Sequence, residues 1–331
     1  LVLLEKGYDI IGLDSFENSS PESLKRVVSI VQENKVIKSG TLKVVEGDIR
    51  NKLFLKEVFE NAFNDKNPID SVIHLAGLKS VFESVQNPIK YWDYNVFGSL
   101  NLLETMNSFN CRSIVFSSSA TVYEQSNKLL KESTRIDPIN PYGRTKSVVE
   151  QLLKDLFNNP DSKWKIINLR YFNPIGAHKS GLIGENPKSF CTNIFPLITS
   201  VALRKIKELY VFGNDWDTPD GTCIRDYIHV MDLAEGHICA LEKLQQNSKQ
   251  FLNVNLGTGK GVSVLELIST FEKVNNISLP YVFTKRRSGD KVMSVADISC
   301  ASKLLNWETK KNLEEMCIDG WRWQKLNPNG Y

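Results

Sequence analysis

Three segments in succession decide the fold: SIVFSSSATVY (113–123), NPYGRTKSVVEQLLKDL (140–156) and KIINLRY (165–171). The first opens on an apolar, β-branched run over Ser113–Phe116 and continues into three serines. The second places Val149, Leu152, Leu153 and Leu156 at i, i+3, i+4 and i+7, the stripe of an amphipathic helix. The third is again a short apolar strand. Strand, helix and strand in that order form a βαβ unit, whose parallel strands are joined by a covering helix.

The same alternation extends toward the N-terminus. Tyr8–Leu13 (YDIIGL), Lys43–Val45 and Ser71–Ala76 (SVIHLA) read as strands, and Val96, Leu100 and Leu103 at i, i+4 and i+7 predict a helix. The expected architecture is therefore α/β: a Rossmann-like, doubly wound parallel sheet with a smaller α/β substrate domain. Residues 174–230 are rich in Gly, Pro, Asn and Asp, as loops that wrap a ligand are. A helix is expected from near Asp232, and another after the capping box Ser263–Glu266. The expected division is a nucleotide-binding domain over 1–173 and a substrate domain over 174–331.

Residues 1–6 (LVLLEK) and Gly7 read as a last helical turn with a glycine C-cap, and a strand then ends at Asp14. In a dinucleotide-binding unit the acidic residue ending the second strand follows the glycine-rich turn by about 20 residues. Counted back from Asp14, that turn falls before residue 1, so the first strand and its glycines are expected to be missing from these residues. The plainer reading is an Asp that ends a strand beside a turn.

The chain has 331 residues, 41% of them hydrophobic, enough for one large or two ordinary cores. A net charge of +3 is too balanced for a nucleic-acid footprint. No run approaches the ~18 apolar residues of a membrane helix. Six scattered cysteines (Cys111, Cys191, Cys223, Cys239, Cys300, Cys317) form no C-x-x-C pair. That spacing disfavours structural zinc and a disulfide framework and suits a reducing, cytoplasmic setting. No metal is expected.

Two motifs imitate chemistry. Gly257-Thr258-Gly259-Lys260-Gly261 follows the strand-like FLNVNL, but Val262 stands where a third dinucleotide-loop glycine belongs, and Gly261 where a Walker loop needs Ser or Thr. It is read as a tight strand-to-helix turn. Tyr142 and Lys146 form Y-x-x-x-K, which on a helix puts both side chains on one face. A nearby ammonium stabilises a phenolate and makes the Tyr a usable base. Tyr281 and Lys285 repeat the spacing, but only Tyr142 has Pro141 at a helix start and Ser117-Ser118-Ser119 at a strand end, where open α/β sheets place ligands.

The strings HLAGLKS (74–80), FSSSATVY (116–123), NPYGRTK (140–146), LRYFNPIGAHKSGLIGE (169–185) and RDYIHVMDLAEGH (225–237) closely resemble the UDP-glucose 4-epimerase family of extended short-chain dehydrogenases/reductases. The resemblance runs over nearly the whole chain. It implies bound NAD, a UDP-hexose substrate, and epimerisation at C4 through a 4-keto sugar that interconverts UDP-glucose and UDP-galactose. It further implies a homodimer through helices around residues 90–108 and 142–158, galactose metabolism, and neither nucleic acid nor membrane as partner.

By the same resemblance, Asp14 and Asn18 hold the adenosine ribose and Asp48-Ile49 flank the adenine. Leu75, Ala76, Gly77 and Lys79 line the cofactor, with Asn95 and Ser117 nearby. Ser119 bonds the sugar 4-oxygen, Tyr142 is the base, and Lys146 holds the nicotinamide ribose, with Tyr171 and Phe172 beside the ring. Asn173, Asn193, Phe212, Arg225, Arg287 and Asp290 hold UDP, and Lys79 reaches the substrate as well. Ser294 lies at the sugar end, where bacterial members carry a Tyr. A small residue there implies room for UDP-N-acetylglucosamine and UDP-N-acetylgalactosamine. Departures from the family pattern fall at Ser80-Val81-Phe82, Glu124 and Cys191-Thr192.

Two alternatives bear on function. A sugar-nucleotide 4,6-dehydratase needs acidic residues beside the active-site hydroxyl, and Ser119-Ala120-Thr121 offers none. A non-catalytic sugar-nucleotide-binding homologue is disfavoured by intact Ser119, Tyr142 and Lys146.

Overall fold

The computed structural model describes residues 1–34, 39–188, 193–246, 249–287 and 289–331. Strand β1 (Ile10–Asp14) pairs in parallel with β2 (Leu42–Glu46). β3 (Val72–His74), β4 (Ser113–Ser119), β5 (Lys165–Tyr171) and β6 (Gln250–Leu256) form a second parallel sheet in the order β6-β5-β4-β3. The expected helix-covered α/β architecture is the one observed.

Both faces of β4 and β5 are covered, which is why these strands read as unbroken apolar runs. Side chains alternate between the faces. Val115, Ile167 and Leu169 pack on Leu233, Leu241 and Leu244 of the helix Val230–Gln246. Ile114, Phe116 and Ile166 pack on Val149 and Leu153 of the helix Pro141–Asn158 and on Leu103 and Met106 of Gly98–Ser108. Burial of each such side chain contributes about 1.5–3 kcal/mol.

The expected division after residue 173 does not coincide with the sheets. The helix Val230–Gln246 packs on β4 and β5, and β6 pairs with β5 along its whole length. The chain thus leaves the four-stranded sheet after Tyr171 and returns to it. What remains is a smaller unit of short strands: Asn173–Ile175 beside Tyr227–His229, Leu209–Phe212 beside Tyr281–Thr284, and Ile224–Arg225 between Val262–Ser263 and Met293–Ser294. Its core gathers Phe195, Ile198, Leu267, Phe271 and Cys317.

Local signals resolve as physics dictates. Gly7 takes φ +84° just past the helix Val2–Glu5. Ser263 and Glu266 make both bonds of the capping box. Over 96–103 the observed backbone departs from a regular helix: Trp92–Phe97 is a π-helical turn leading into Gly98–Ser108. The wider turn rotates the stripe, so Leu100 is exposed while Asn95, Ser99, Leu103 and Met106 are buried. Among the described residues no helix is long and apolar enough to cross a membrane.

Candidate active site

The site is built where β4 ends. β4 runs beyond Phe116 to Ser119, so all three serines belong to the strand. Ser119 Oγ accepts from Thr121 N at 3.2 Å and from Thr121 Oγ1 at 3.0 Å. Its own proton is left for another acceptor, and the hydroxyl acts to lower the Tyr142 phenol against the effect of burial.

Tyr142 stands in the first turn of the helix Pro141–Asn158. Asn140 caps that turn by accepting from Gly143 N at 2.8 Å, with Pro141 at the first helical position. Gly143 explains how close the helix comes. A Cβ there would lie 2.7 Å from the Thr121 carbonyl oxygen, so any larger residue would push Tyr142 away from Ser119. Tyr142 is buried against Leu78 and Tyr91.

Lys146, one turn later, is buried. Its Nζ donates to the Ser117 carbonyl at 2.7 Å and lies 5.9 Å from the Tyr142 ring centroid. Burial brings its ammonium down to about 8, against the opposing charge of Glu150. Burial also pushes the Tyr142 phenol up, and the Ser119 hydrogen bond and the Lys79 charge pull it back. The Lys79 charge thus acts on the phenol as well, while Lys146 stands on the same helix face as its spacing predicts. Lys79 also pairs with Glu185 at 2.8 Å.

Beneath the serines lies a buried ion pair. Arg170 from β5 grips Glu150 through Nη2 at 2.6 Å and Nε at 2.9 Å. Ser118 donates to Glu150 at 2.5 Å, and Arg170 Nη1 reaches the Tyr123 hydroxyl at 3.0 Å. A buried bidentate pair with its remaining groups satisfied fixes relative position. Here it locks the helix carrying Tyr142 and Lys146 to the strand carrying Ser119.

The residues beyond β3 leave an open ledge beside Lys146. Leu75 and Ala76 are exposed, and Gly77 adopts φ +150°. A Cβ on Gly77 would lie 2.9 Å from Asn95 Oδ1 and 4.0 Å from Lys146 Nζ, so the ledge exists because residue 77 is glycine. Asn95 braces it, accepting from Leu78 N at 2.7 Å and donating to Leu78 O and Thr145 Oγ1, both at 3.0 Å. Asp14 ends β1 with one carboxylate oxygen holding Phe16 N and Ser19 Oγ, each at 2.8 Å. A carboxylate at one strand end and a glycine ledge beside a buried lysine fit a dinucleotide. The Asp48 carboxylate is gripped by Arg50 at 2.6 Å, and Arg50 also pairs with Asp93. Ile49 packs over Gly98, and Asn18 is exposed.

On the other side the expected substrate residues converge. Arg225 and Arg287 both face Asp290, at 3.9 and 3.3 Å, and the Arg287 guanidinium lies 4.3 Å over the Phe212 ring. Ser294 is registered against Arg225 between parallel strands, and Asn173 donates through Nδ2 to the Asp226 carbonyl at 3.0 Å. Asn193 is exposed at the head of the helix Ile194–Ala202 and does not cap it through its side chain. Cys191 and Thr192 lie outside the described residues.

The Gly257–Gly259 turn cradles the protein's own anion. Asp226 Oδ1 accepts from Thr258 N and Oγ1, and Oδ2 from Gly259 N and Ala296 N. Tyr281–Thr284 is a strand, so Tyr281 and Lys285 share no helix face. Sequence reasoning passed over Asp226, Glu150 and Lys291, the last of which donates to Tyr123 O at 2.8 Å. The charged pattern Arg225-Asp226 was the one available signal, and it reads equally as a surface pair.

Comparison with known proteins agrees with this geometry. The GDP-mannose 4,6 dehydratase family model matches residues 1–319. The UDP-glucose 4-epimerase of Bacillus subtilis (strain 168) is 47% identical over 330 residues, covering 99% of this chain and 93% of that protein. The bifunctional UDP-glucose 4-epimerase and UDP-xylose 4-epimerase 1 of Pisum sativum is 45% identical over 331 residues, covering 99% and 92%. The crystal structure of UDP-glucose 4-epimerase from Bifidobacterium longum in complex with NAD+ and UDP matches with a TM-score of 0.91 at 43% identity, covering 100% of this chain and 95% of that one.

Proposed function

The chain belongs to the UDP-glucose 4-epimerase family, and from that premise we propose that Ser119, Tyr142 and Lys146 carry its NAD-dependent interconversion of UDP-glucose and UDP-galactose. The observation that carries this reading is the buried Tyr142, whose phenol Ser119 at the end of β4 pulls down and whose ring lies 5.9 Å from Lys146 Nζ, one helical turn away.

The chemistry supplied by bound NAD is reversible hydride acceptance at C4, which makes the net reaction an isomerisation. Tyr142 takes the 4-hydroxyl proton and later returns it to the 4-oxygen. Ser119 favours the phenolate before the sugar binds, and with the sugar in place its single proton turns to the 4-oxygen. Asp14 and Asn18 hold the adenosine ribose, with Asp48-Ile49 flanking the adenine. Leu75, Ala76, Gly77, Asn95 and Ser117 line the ledge, and Lys146 holds the nicotinamide ribose. Lys79 lies between cofactor and substrate, and Tyr171 and Phe172 flank the nicotinamide.

Asn173, Asn193, Phe212, Arg225, Arg287 and Asp290 hold UDP. Two guanidiniums suit a diphosphate, and Asp290 suits hydroxyls. Anchoring UDP firmly and the hexose loosely lets the flat 4-keto sugar present its other face. Residues 119–121 supply no carboxylate for the proton removal at C5 that a 4,6-dehydratase requires, which supports epimerisation within the family.

Pairing as a homodimer is supported by the apolar surface of Trp92, Phe97, Leu100 and Val148, all exposed on helices of the 90–108 and 142–158 regions. A reducing, cytoplasmic setting is supported by five described cysteines, none of them paired. The half-buried Ser294 beside Arg225 supports acceptance of N-acetylated UDP-hexoses. The deciding experiment is conversion of UDP-galactose to UDP-glucose by the purified protein with NAD, compared with Tyr142→Phe. Equal turnover by the two would overturn the assignment.

A further inference from the structure

A second buried polar pair meets the same strand ends from the opposite face of the sheet. Tyr171 closes β5, registered against Ser119. Its hydroxyl is hydrogen-bonded to Nε2 of His237, which comes from the helix Val230–Gln246. The two rings meet edge to face with centroids 5.2 Å apart.

The proton positions follow from the partners. His237 Nδ1 lies 2.9 Å from the Leu233 carbonyl, which can only accept, so Nδ1 carries a proton. Burial holds the imidazole below its ordinary pKa, so it is neutral and Nε2 is bare. Tyr171 is therefore the donor, and its only proton is committed to His237. On the paired strand β4, the Ser117 carbonyl receives Lys146 Nζ at 2.7 Å. A chain of hydrogen bonds thus runs from Leu233 through His237 to Tyr171 at the end of β5, the strand paired with the one that holds Lys146.

We propose that His237 is a positioning residue for the epimerase reaction: it fixes the Tyr171 phenol at the strand end registered against Ser119, leaving Tyr142 as the phenol free to exchange a proton with the sugar. The proposal rests on the reading of Tyr171 as a nicotinamide-side residue. No comparable constraint holds Tyr142, whose phenol Ser119 pulls down.

Two measurements test this. Nitrogen-15 NMR of histidine-labelled protein reads the tautomer directly. We expect a protonated Nδ1 and an accepting Nε2 on His237, with the Nε2 resonance moved by Tyr171→Phe. A protonated Nε2, or no movement, overturns the pairing whether or not the protein turns over substrate. In the kinetic test, His237→Leu and Tyr171→Phe should each lower kcat about tenfold, a size typical of a misplaced positioning group, with KM for UDP-galactose little changed. The double variant should be no worse than either alone, and His237→Gln, whose amide oxygen can accept the same proton, should recover most of the loss. Multiplied losses, or a Gln variant as poor as Leu, would refute the positioning role. Loss of all turnover in the parent protein counts against the base assignment instead, and the NMR result still decides the pair.

Discussion

Asp226 takes both the backbone N–H and the hydroxyl of Thr258 on one carboxylate oxygen, at 2.8 and 2.7 Å. Its other oxygen takes Gly259 N and Ala296 N. A Cβ on Gly257 would sit 2.5 Å from that second oxygen, so the glycine is there to admit the carboxylate. The turn that imitates a phosphate loop is thus an internal anion cradle. It ties the end of β6 to the strands bearing Arg225 and Ser294, since Asp226 N donates to Ser294 O at 3.0 Å.

Asp226→Asn tests that role. An amide offers one acceptor oxygen where the cradle presents four donors, leaving buried N–H groups unpaired at a cost of about 1–3 kcal/mol. The urea midpoint should fall accordingly, and UDP affinity should fall with it because Arg225 is the neighbouring residue. An unchanged midpoint would show that the cradle does not depend on the carboxylate.

Much of this was legible because it is periodic and local. Ile114, Val115 and Phe116, then Val149 and Leu153, then Ile166, Ile167 and Leu169 announce strand, helix and strand by spacing alone. Tyr142 and Lys146 were legible for the same reason. The π-helical turn at Trp92–Phe97 was not, since one wider turn shifts every later side chain without any signal in composition. The return of Gln250–Leu256 to β5 is a pairing across about 80 residues, which local pattern does not encode. The influence of Lys79 on Tyr142, and the partnership of His237 with Tyr171, arise where distant segments meet.

Tyr142→Phe should leave the fold and UDP binding intact and lower turnover by about 10²–10⁴-fold, the usual cost of losing a general base. Calorimetric titration with UDP, run beside the UDP-galactose assay, separates binding from chemistry. Weakened UDP binding with little loss of turnover would place Tyr142 in the nucleotide pocket.

Lys146 sets a pH limit. Its ammonium loses its proton near 8 rather than at the ordinary lysine value of 10.5. The cationic form dominates below that pH, so kcat/KM for UDP-galactose should decline above about pH 8, where the free enzyme loses the charge. The groups around the ammonium are the Ser117 carbonyl, the Tyr142 and Phe116 rings, His74 and the Glu150 carboxylate. Glu150 alone raises the value, so Glu150→Gln should move the decline to lower pH. Its amide oxygen can still accept from Arg170 or Ser118, and thermal unfolding measured alongside checks the fold. A limb that moves upward, or stays in place, would remove Glu150 from this role.

Ser294 is the residue proposed for the sugar end of the pocket. It is half-buried and registered against Arg225, while its neighbour Val295 is buried and lies 3.0 Å from a Cβ built on Gly261. A hydroxymethyl group in place of a phenol frees room of the order of an aromatic ring, enough for an N-acetyl group at C2. The protein should accept UDP-N-acetylglucosamine and UDP-N-acetylgalactosamine alongside the plain hexoses. Ser294→Tyr should then abolish the N-acetyl activity by overlap and spare UDP-galactose, because discrimination here comes from exclusion and not from new attraction. Overlap of this kind discriminates by about 10²-fold or more, provided the pocket cannot relax. Side-by-side assays of both substrate pairs decide it: absence of N-acetyl activity in the parent, or equal loss of both activities in the variant, would place Ser294 away from the sugar.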